Sequence, residues 1–208
     1  MRTPSLGFWF EFGSTYSYVS AVGIEAAAAS AGVRVRWEPF LLGPIFAEQG
    51  WDDSPFNVYP AKGRYMWRDV ERLCSDRGIP FAKPSRFPRS GVVAARVAYL
   101  AKATSEPWLP GFVRAVFRAN FAEDREIGDA AEVGSILDAL GLPGARIVEV
   151  SESSENRGRL REQTRRAAEL GIFGAPSFVA GGELFWGNDR LEHAVAWAAG
   201  ERPGGAGS

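Results

Sequence analysis

The first forty residues carry a strand, helix and strand pattern, and this pattern limits the folds open to the chain. Residues 6–12 form an aromatic run of strand length. An alanine-rich helix is predicted over residues 16–31, with Gly32 as its stop. Residues 33–40 alternate with the period of two that is typical of a strand. The opening residues therefore predict a βαβ unit.

A largely helical block follows this unit. Amphipathic stretches separated by Gly- and Pro-containing breaks predict five helices, over residues 61–77, 91–103, 109–122, 130–140 and 154–170. Beyond them, two short runs that flank Gly181 and Gly182 predict a β-hairpin. Asp189 stands three residues before Glu192, the spacing of a capping box at the start of a last helix.

The order of these elements predicts an α/β protein with a thioredoxin-like fold and an inserted all-helical domain. Residues 5–42 and 171–200 would form a discontinuous thioredoxin-like domain, and residues 43–170 a mainly helical insertion. Residues 201–208 are rich in Gly and Pro, so we expect a disordered tail there.

Counts of a few residue types exclude several kinds of site. Cys74 is the single cysteine, so an intramolecular disulfide and a Cys-x-x-Cys redox pair are impossible. With His193 as the single histidine, thiolate-rich and multi-histidine metal sites are excluded too. Cys74 lies on the apolar side of its predicted helix and is expected to be a core thiol, whereas His193 is expected at the surface.

Charge and hydropathy also limit the partners. The 24 basic and 25 acidic residues give a formal net charge of -1, which disfavours a nucleic-acid partner. No apolar run approaches the ~18 residues of a membrane span, so we expect no membrane partner. The amino terminus lacks the apolar stretch of a signal peptide, and the cytoplasm is the expected location.

The start of the first helix is a candidate site. Free backbone N–H groups and the positive end of the helix dipole stabilise anions there. Ser14 stands where a redox-active relative of this fold carries its first cysteine, and its hydroxyl can donate a hydrogen bond to a bound thiolate. The alternative is that Ser14 or Thr15 is simply an N-cap.

Three other positions carry similar pairs of interpretations. The Ala175–Pro176 bond enters a predicted strand, where a cis peptide would free the preceding backbone for a ligand, although trans is the ordinary state. Asp189 and Arg190 can bind an ammonium and a carboxylate; the alternative is a helix cap and a solvated cation. Lys62, near another predicted helix start, is a solvated cation if considered alone.

Four sequence blocks, taken together, resemble one protein family. They are Glu11-x-x-Ser14-x-Tyr16-Ser17-Tyr18, Pro60-Ala61-Lys62-x-x-Tyr65-Met66-x-x-Asp69, Gly171-x-Phe173-Gly174-x-Pro176-x-Phe178 and Phe185-Trp186-Gly187-Asn188-Asp189-Arg190-Leu191. In this order they resemble the 2-hydroxychromene-2-carboxylate isomerases, in the DsbA-like branch that also holds the kappa-class glutathione transferases. The likeness spans residues 6–199.

The resemblance implies a homodimer that binds glutathione as a cofactor. Ser14 matches the serine that faces the glutathione sulfur, and Ala175 and Pro176 match a cis-proline pair whose backbone holds the cysteinyl unit. The other implied cofactor contacts are a lysine on the inserted domain, Lys62, and two residues near the γ-glutamyl end, Asn188 and Asp189.

The implied reaction is cis–trans isomerisation of an aromatic-degradation intermediate, a flat and anionic aromatic carboxylate. Reversible addition of a thiolate turns a carbon–carbon double bond into a single bond that rotates, and elimination restores the alkene. The helix start has no cysteine, so the thiol must arrive as a cofactor. The expected substrate contacts are Tyr16, Arg86, Trp186 and Arg190.

Two other functions stay open. A kappa-like glutathione transferase would conjugate an electrophile and keep the adduct. A non-catalytic thioredoxin-like binding module is favoured by departures from the family pattern. Thr15 stands where proline is usual, and Asp53 adds negative charge near an anionic tripeptide. A further departure is Glu11, which stands where aspartate is frequent.

Overall fold

An aromatic strand, β1 (Ser5–Phe10), forms the centre of the fold, which a computed structural model describes for residues 3–51 and 53–200. The sheet has four strands in the order β2-β1-β3-β4. The other strands are β2 (Arg34–Pro39), β3 (Ser177–Ala180) and β4 (Glu183–Trp186). β1 pairs in parallel with β2 and antiparallel with β3, so the first and last parts of the chain meet on this one strand.

Side chains that alternate along β1 bury both faces of the sheet. On one face Phe8 stacks on Phe178 of β3, with ring centroids 5.6 Å apart, and Phe10 contacts Phe117 at 6.1 Å. Trp9 lies on the opposite face, in a smaller apolar cluster. That cluster also contains Phe40, Ile45, Ala167 and Ile172. The sheet is therefore covered on both sides, as an aromatic central strand requires.

Ten helices lie within the described residues. They are α1 (Thr15–Ser30), α2 (Leu42–Glu48), α3 (Pro55–Val58), α4 (Pro60–Asp76), α5 (Val92–Ala103), α6 (Leu109–Phe121), α7 (Ala130–Ala139), α8 (Gly144–Ser151), α9 (Ser154–Glu169) and α10 (Leu191–Ala199). α1 connects β1 to β2 and packs against α6 and α10, while α2 packs against α9.

The main predicted elements are confirmed. The first helix and the five helices of the middle block correspond to α1, α4, α5, α6, α7 and α9, and their ends agree to within one residue. The predicted hairpin is β3 and β4. The sequence does not predict the short helices α2, α3 and α8, because each has too few residues to show a helical period and carries a Pro or Gly.

The predicted capping box at Asp189 is wrong. A 3₁₀ turn (Asn188–Arg190) precedes α10, and the N-cap of α10 is Arg190, which makes no side-chain capping hydrogen bond. The Asp189 carboxylate instead lies against Gly187, where a Cβ atom would stand 2.6 Å from Oδ1. The turn therefore directs this side chain away from the first N–H groups of α10.

The division of the chain into two domains stays a prediction, and the predicted tail lies outside the described residues. The helices between β2 and β3 do contact the sheet, since α5 packs against β2. No helix within residues 3–51 and 53–200 is long and apolar enough to cross a membrane.

Replacing Cys74 should cost stability. The expected core position is confirmed, since Cys74 on α4 is 1% exposed and burial raises the pKa of its thiol to about 11. Cys74→Ser should lower the free energy of unfolding by about 1–2 kcal/mol, because the added hydroxyl is buried. Urea unfolding measures the change. Exposed Ser75→Ala is the control, with an expected change within about 0.5 kcal/mol; a Cys74→Ser protein as stable as the parent would contradict the prediction.

Candidate active site

Ser14 stands at the end of the loop that joins β1 to α1, and it is the N-cap of α1. Its Oγ accepts a hydrogen bond from the Ser17 N–H at 3.2 Å. The same hydroxyl donates to the Ala175 carbonyl at 2.8 Å, across 161 residues of sequence. The N-cap interpretation is confirmed. The second contact places the hydroxyl at the junction between the start of α1 and the segment that enters β3.

The Ala175–Pro176 peptide is cis. Gly187, directly after β4, donates its N–H to the Pro176 carbonyl at 3.0 Å, and this hydrogen bond ties the proline to the end of β4. Pro176 is buried and Ala175 is partly buried. The Ala175 carbonyl thus faces the amino end of α1, where the Ser14 hydroxyl meets it.

Two exposed aromatic side chains flank this segment. Trp186 is 53% exposed and Phe173 is 46% exposed, and their ring centroids lie 4.8 Å apart. The Trp186 indole packs so closely over Gly174 that a Cβ atom there would overlap its ring nitrogen. An aromatic surface made of two rings inclined by 55° therefore lies beside the cis peptide and stays open to solvent.

Tyr16 joins the first helix to α4. Its hydroxyl donates to Asp69 Oδ2 at 2.9 Å. Burial raises the pKa of Tyr16 above its ordinary value, and the carboxylates of Asp69 and Asp189 and the Tyr65 phenol raise it further. The Tyr16 phenol is consequently neutral at physiological pH, and Asp189 and Tyr65 lie near enough to influence it.

The predicted cofactor contacts differ in exposure. Lys62, near the start of α4, is exposed and lies 4.7 Å from the centroid of the Tyr59 ring. Asp189 is exposed on the 3₁₀ turn. Asn188 is 5% exposed, and its Oδ1 accepts a hydrogen bond from the Ser20 hydroxyl at 2.9 Å. Their roles in cofactor binding stay predictions.

The predicted substrate contacts are also spread over several elements. Arg190 is exposed at the N-cap of α10, and its guanidinium lies 3.5 Å from the Asp189 carboxylate. Arg86 lies between α4 and α5, and its guanidinium is 4.0 Å from Glu126 Oε2. Substrate binding by these two cations stays a prediction.

Sequence reasoning missed two residues that brace the loop before Ser14. Asn120 of α6 donates through its side-chain amide to the Phe12 carbonyl at 3.0 Å. Arg89, with a side chain 3% exposed, donates to Asn120 Oδ1 at 3.2 Å and pairs with Asp124. A sequence signal for this brace exists, because Asn120 is a polar residue inside the apolar face of α6.

The chemistry available at this junction is that of hydroxyl groups and a helix amino terminus. Thr15 Oγ1 and Ser17 Oγ are buried, and among the described residues neither has a hydrogen-bond partner. Ser14, Thr15 and Ser17 thus place three hydroxyl side chains at the amino end of α1, the end of the helix that favours negative charge. Within the described part of the chain, no group of three or more His, Cys, Asp and Glu side chains is placed to hold a metal ion.

Comparisons with known proteins cover nearly the whole chain. The family model described as "DSBA-like thioredoxin domain" matches residues 5–196. The 2-hydroxychromene-2-carboxylate isomerase of Sphingobium xenophagum is 26% identical over 191 residues, which cover 91% of this chain and 95% of that protein. Glutathione S-transferase kappa 2 of Caenorhabditis elegans is 24% identical and covers 92% of this chain and 90% of its own length.

A solved structure gives the same result for the fold. A 2-hydroxychromene-2-carboxylate isomerase superposes with a TM-score of 0.81 at 25% identity, over 94% of each chain. The predicted fold class, a thioredoxin-like α/β protein with inserted helices, is thereby confirmed.

Gly174 should be intolerant of a side chain. Gly174→Ala is expected to lower the free energy of unfolding by about 1–3 kcal/mol, because the new Cβ displaces the Trp186 indole. Gly43→Ala on α2 is the matched control, since the same change there meets open space and favours a helix. Thermal unfolding compares the two. A Gly174→Ala protein with the melting temperature of the parent would show that Trp186 moves aside without cost.

Proposed function

Because the chain belongs to the family of DSBA-like thioredoxin domains, we propose that it is a glutathione-dependent cis–trans isomerase of 2-hydroxychromene-2-carboxylate type. The observation that carries this proposal is the serine at the amino end of α1. The hydroxyl of Ser14 contacts the carbonyl of Ala175, at the cis peptide, where a disulfide oxidoreductase would need a thiol. The names of two similar proteins, an isomerase and a kappa-class glutathione transferase, support the same chemistry.

The residues of the junction fit a small anionic thiol. The amino end of α1 and the Ser14 hydroxyl both stabilise negative charge on a ligand. Lys62 is the exposed cation proposed for this ligand, and the exposed Asp189 carboxylate suits an ammonium group. The chain's own thiol does not suit the task, because Cys74 is buried on α4 and its pKa is raised. A thiol brought by a cofactor is therefore required.

Glutathione, when bound, supplies a soft nucleophile whose reversible addition lets a former double bond rotate. The role of Ser14 in this proposal is to stabilise negative charge on the sulfur by donating a hydrogen bond to it. In the structure its proton is donated to the Ala175 carbonyl, so the hydroxyl must turn from Ala175 in order to donate to an anion. The hydrogen bond from the Ser17 N–H holds the Ser14 oxygen in place while its O–H rotates. The Ala175 carbonyl is then free to accept a backbone N–H of the ligand.

The substrate in this proposal is a flat aromatic carboxylate. Trp186 and Phe173 offer exposed ring surface beside the cis peptide. The neutral Tyr16 phenol lies on the same helix as the N-cap, and it can donate to the substrate only by rotating away from Asp69, which accepts its proton in the structure. Arg190 and Arg86 are the cations proposed to bind the substrate carboxylate.

We also propose that the protein is a homodimer and that it lies in the cytoplasm.

Substrate conversion with limiting and with excess glutathione tests the reaction. With 2-hydroxychromene-2-carboxylate as the probe, we expect conversion that requires glutathione and leaves its concentration unchanged over many turnovers. A transferase would instead consume one glutathione for each substrate molecule. A binding module would give no conversion, and millimolar glutathione would leave its melting temperature unchanged. Either result would reject the isomerase.

Ser14→Ala should lower turnover on the order of 10- to 100-fold, because one charge-assisted hydrogen bond is worth about 1.5–3 kcal/mol. The pKa of the bound thiol should rise, because the anion loses a donor and the neutral thiol does not. Thiolate absorbance, titrated in the complex, measures that pKa. Ser30→Ala, near the other end of α1, is the control and should change neither quantity. If Ser14→Ala keeps both the turnover and the thiol pKa of the parent, Ser14 is only a helix cap.

A further inference from the structure

Glu11 is the only acidic residue in the first 24 positions of the sequence. Its carboxyl group is enclosed between two glycines of different segments. Oε2 accepts a hydrogen bond from the Gly13 N–H at 2.9 Å. A Cβ atom on Gly13 would lie 3.0 Å from Oε2, and one on Gly91 would lie 2.9 Å from Oε1. The absence of side chains at these glycines is what lets the backbone close around the carboxyl.

The same residue determines where Ser14 lies. The Ser14 N–H donates to the Glu11 carbonyl at 3.0 Å, and the preceding N–H, that of Gly13, is held by the Glu11 carboxyl. Between them, the Phe12 carbonyl is fixed by Asn120. Of these three contacts on the turn, only the one made by the Glu11 carboxyl can change with pH.

We propose that Glu11 is a positioning residue whose protonation state sets how firmly the Gly13–Ser14 turn holds the Ser14 hydroxyl beside Ala175. An ionised carboxylate accepts the hydrogen bond from the Gly13 N–H more strongly than a neutral carboxylic acid does. The consequence for catalysis rests on the proposed function, whereas the coupling between Glu11 and the turn does not.

The titratable groups of the neighbouring segments have partners of their own. A Cβ atom on Gly13 would lie 3.3 Å from the Arg89 carbonyl oxygen, and the Arg89 guanidinium pairs with Asp124 and Glu126. On α1, Tyr16 donates to Asp69 and Tyr18 donates to the Pro80 carbonyl. The first turn of α1 carries no acidic residue. Burial accordingly raises the pKa of Glu11 to about 7, and the Gly13 hydrogen bond lowers it only in part. The Glu11 carboxyl therefore gains or loses its proton within the physiological pH range.

The direction of the effect on stability follows from the raised pKa. The folded protein holds the Glu11 proton more tightly than the unfolded chain, whose carboxyl has its ordinary pKa of 4.5. This contribution to stability is complete below about pH 4.5 and is lost as the pH rises through about 7. Glu11→Gln cannot ionise, so its melting temperature should rise relative to that of the parent over the same interval.

Backbone amide NMR of the ligand-free protein tests the coupling directly. Between about pH 5 and about pH 9, the Gly13 and Ser14 resonances of the parent should titrate together with a midpoint near 7. The Gly13 proton should move downfield as Glu11 ionises. Glu11→Gln should abolish this titration. The matched control is His193→Gln, which removes the exposed single histidine and should leave the midpoint unchanged.

Flat Gly13 and Ser14 resonances in the parent, or a midpoint that persists in Glu11→Gln, would overturn the inference. If Glu11→Gln does not fold, the side-chain carboxyl resonance of Glu11 in the parent decides, and titration at its ordinary value would overturn the inference as well. These measurements need neither glutathione nor a substrate. A protein that shows the titration but has no glutathione-dependent turnover would therefore reject the proposed function and leave the role of Glu11 intact.

Discussion

The burial of the aromatic strand β1 is the constraint on which the rest of the structure depends. A strand with large apolar side chains on both faces is stable only at the centre of a sheet that is covered on both sides. β2 and β3 pair with its two edges, and Phe8 and Phe10 on one face oppose Trp9 on the other. The last third of the chain must therefore return to β1, and this return brings Ala175 to Ser14.

The site is formed where that return meets the first helix. Ser14 caps α1 because the strand ends at a turn, and it meets Ala175 because β3 runs antiparallel to β1. The contact between them is a single hydrogen bond of 2.8 Å, part-buried rather than sealed. Such a contact is easily exchanged for a ligand, since a hydrogen bond to an anion is stronger than one to a neutral carbonyl.

The helical block does more for this site than cover the sheet. Through Asn120 it holds the Phe12 carbonyl, and buried Arg89 in turn holds Asn120. Burying the Arg89 guanidinium costs free energy unless the group has several polar partners, and here Asp124 supplies the negative charge. The loop that carries Glu11 is thereby fixed by residues that lie far from it in the sequence.

The sequence by itself determined the helices with long apolar periods, the strands, the fold class and the position of Ser14 at a helix start. These features depend on neighbouring residues, so their periodicity and spacing are visible in one dimension. It did not determine the short helix α2, the failure of Asp189 to cap α10, or the enclosure of the Glu11 carboxyl by Gly13 and Gly91. Only the tertiary structure decided those, because burial and hydrogen-bond partners depend on segments that are far apart in the chain.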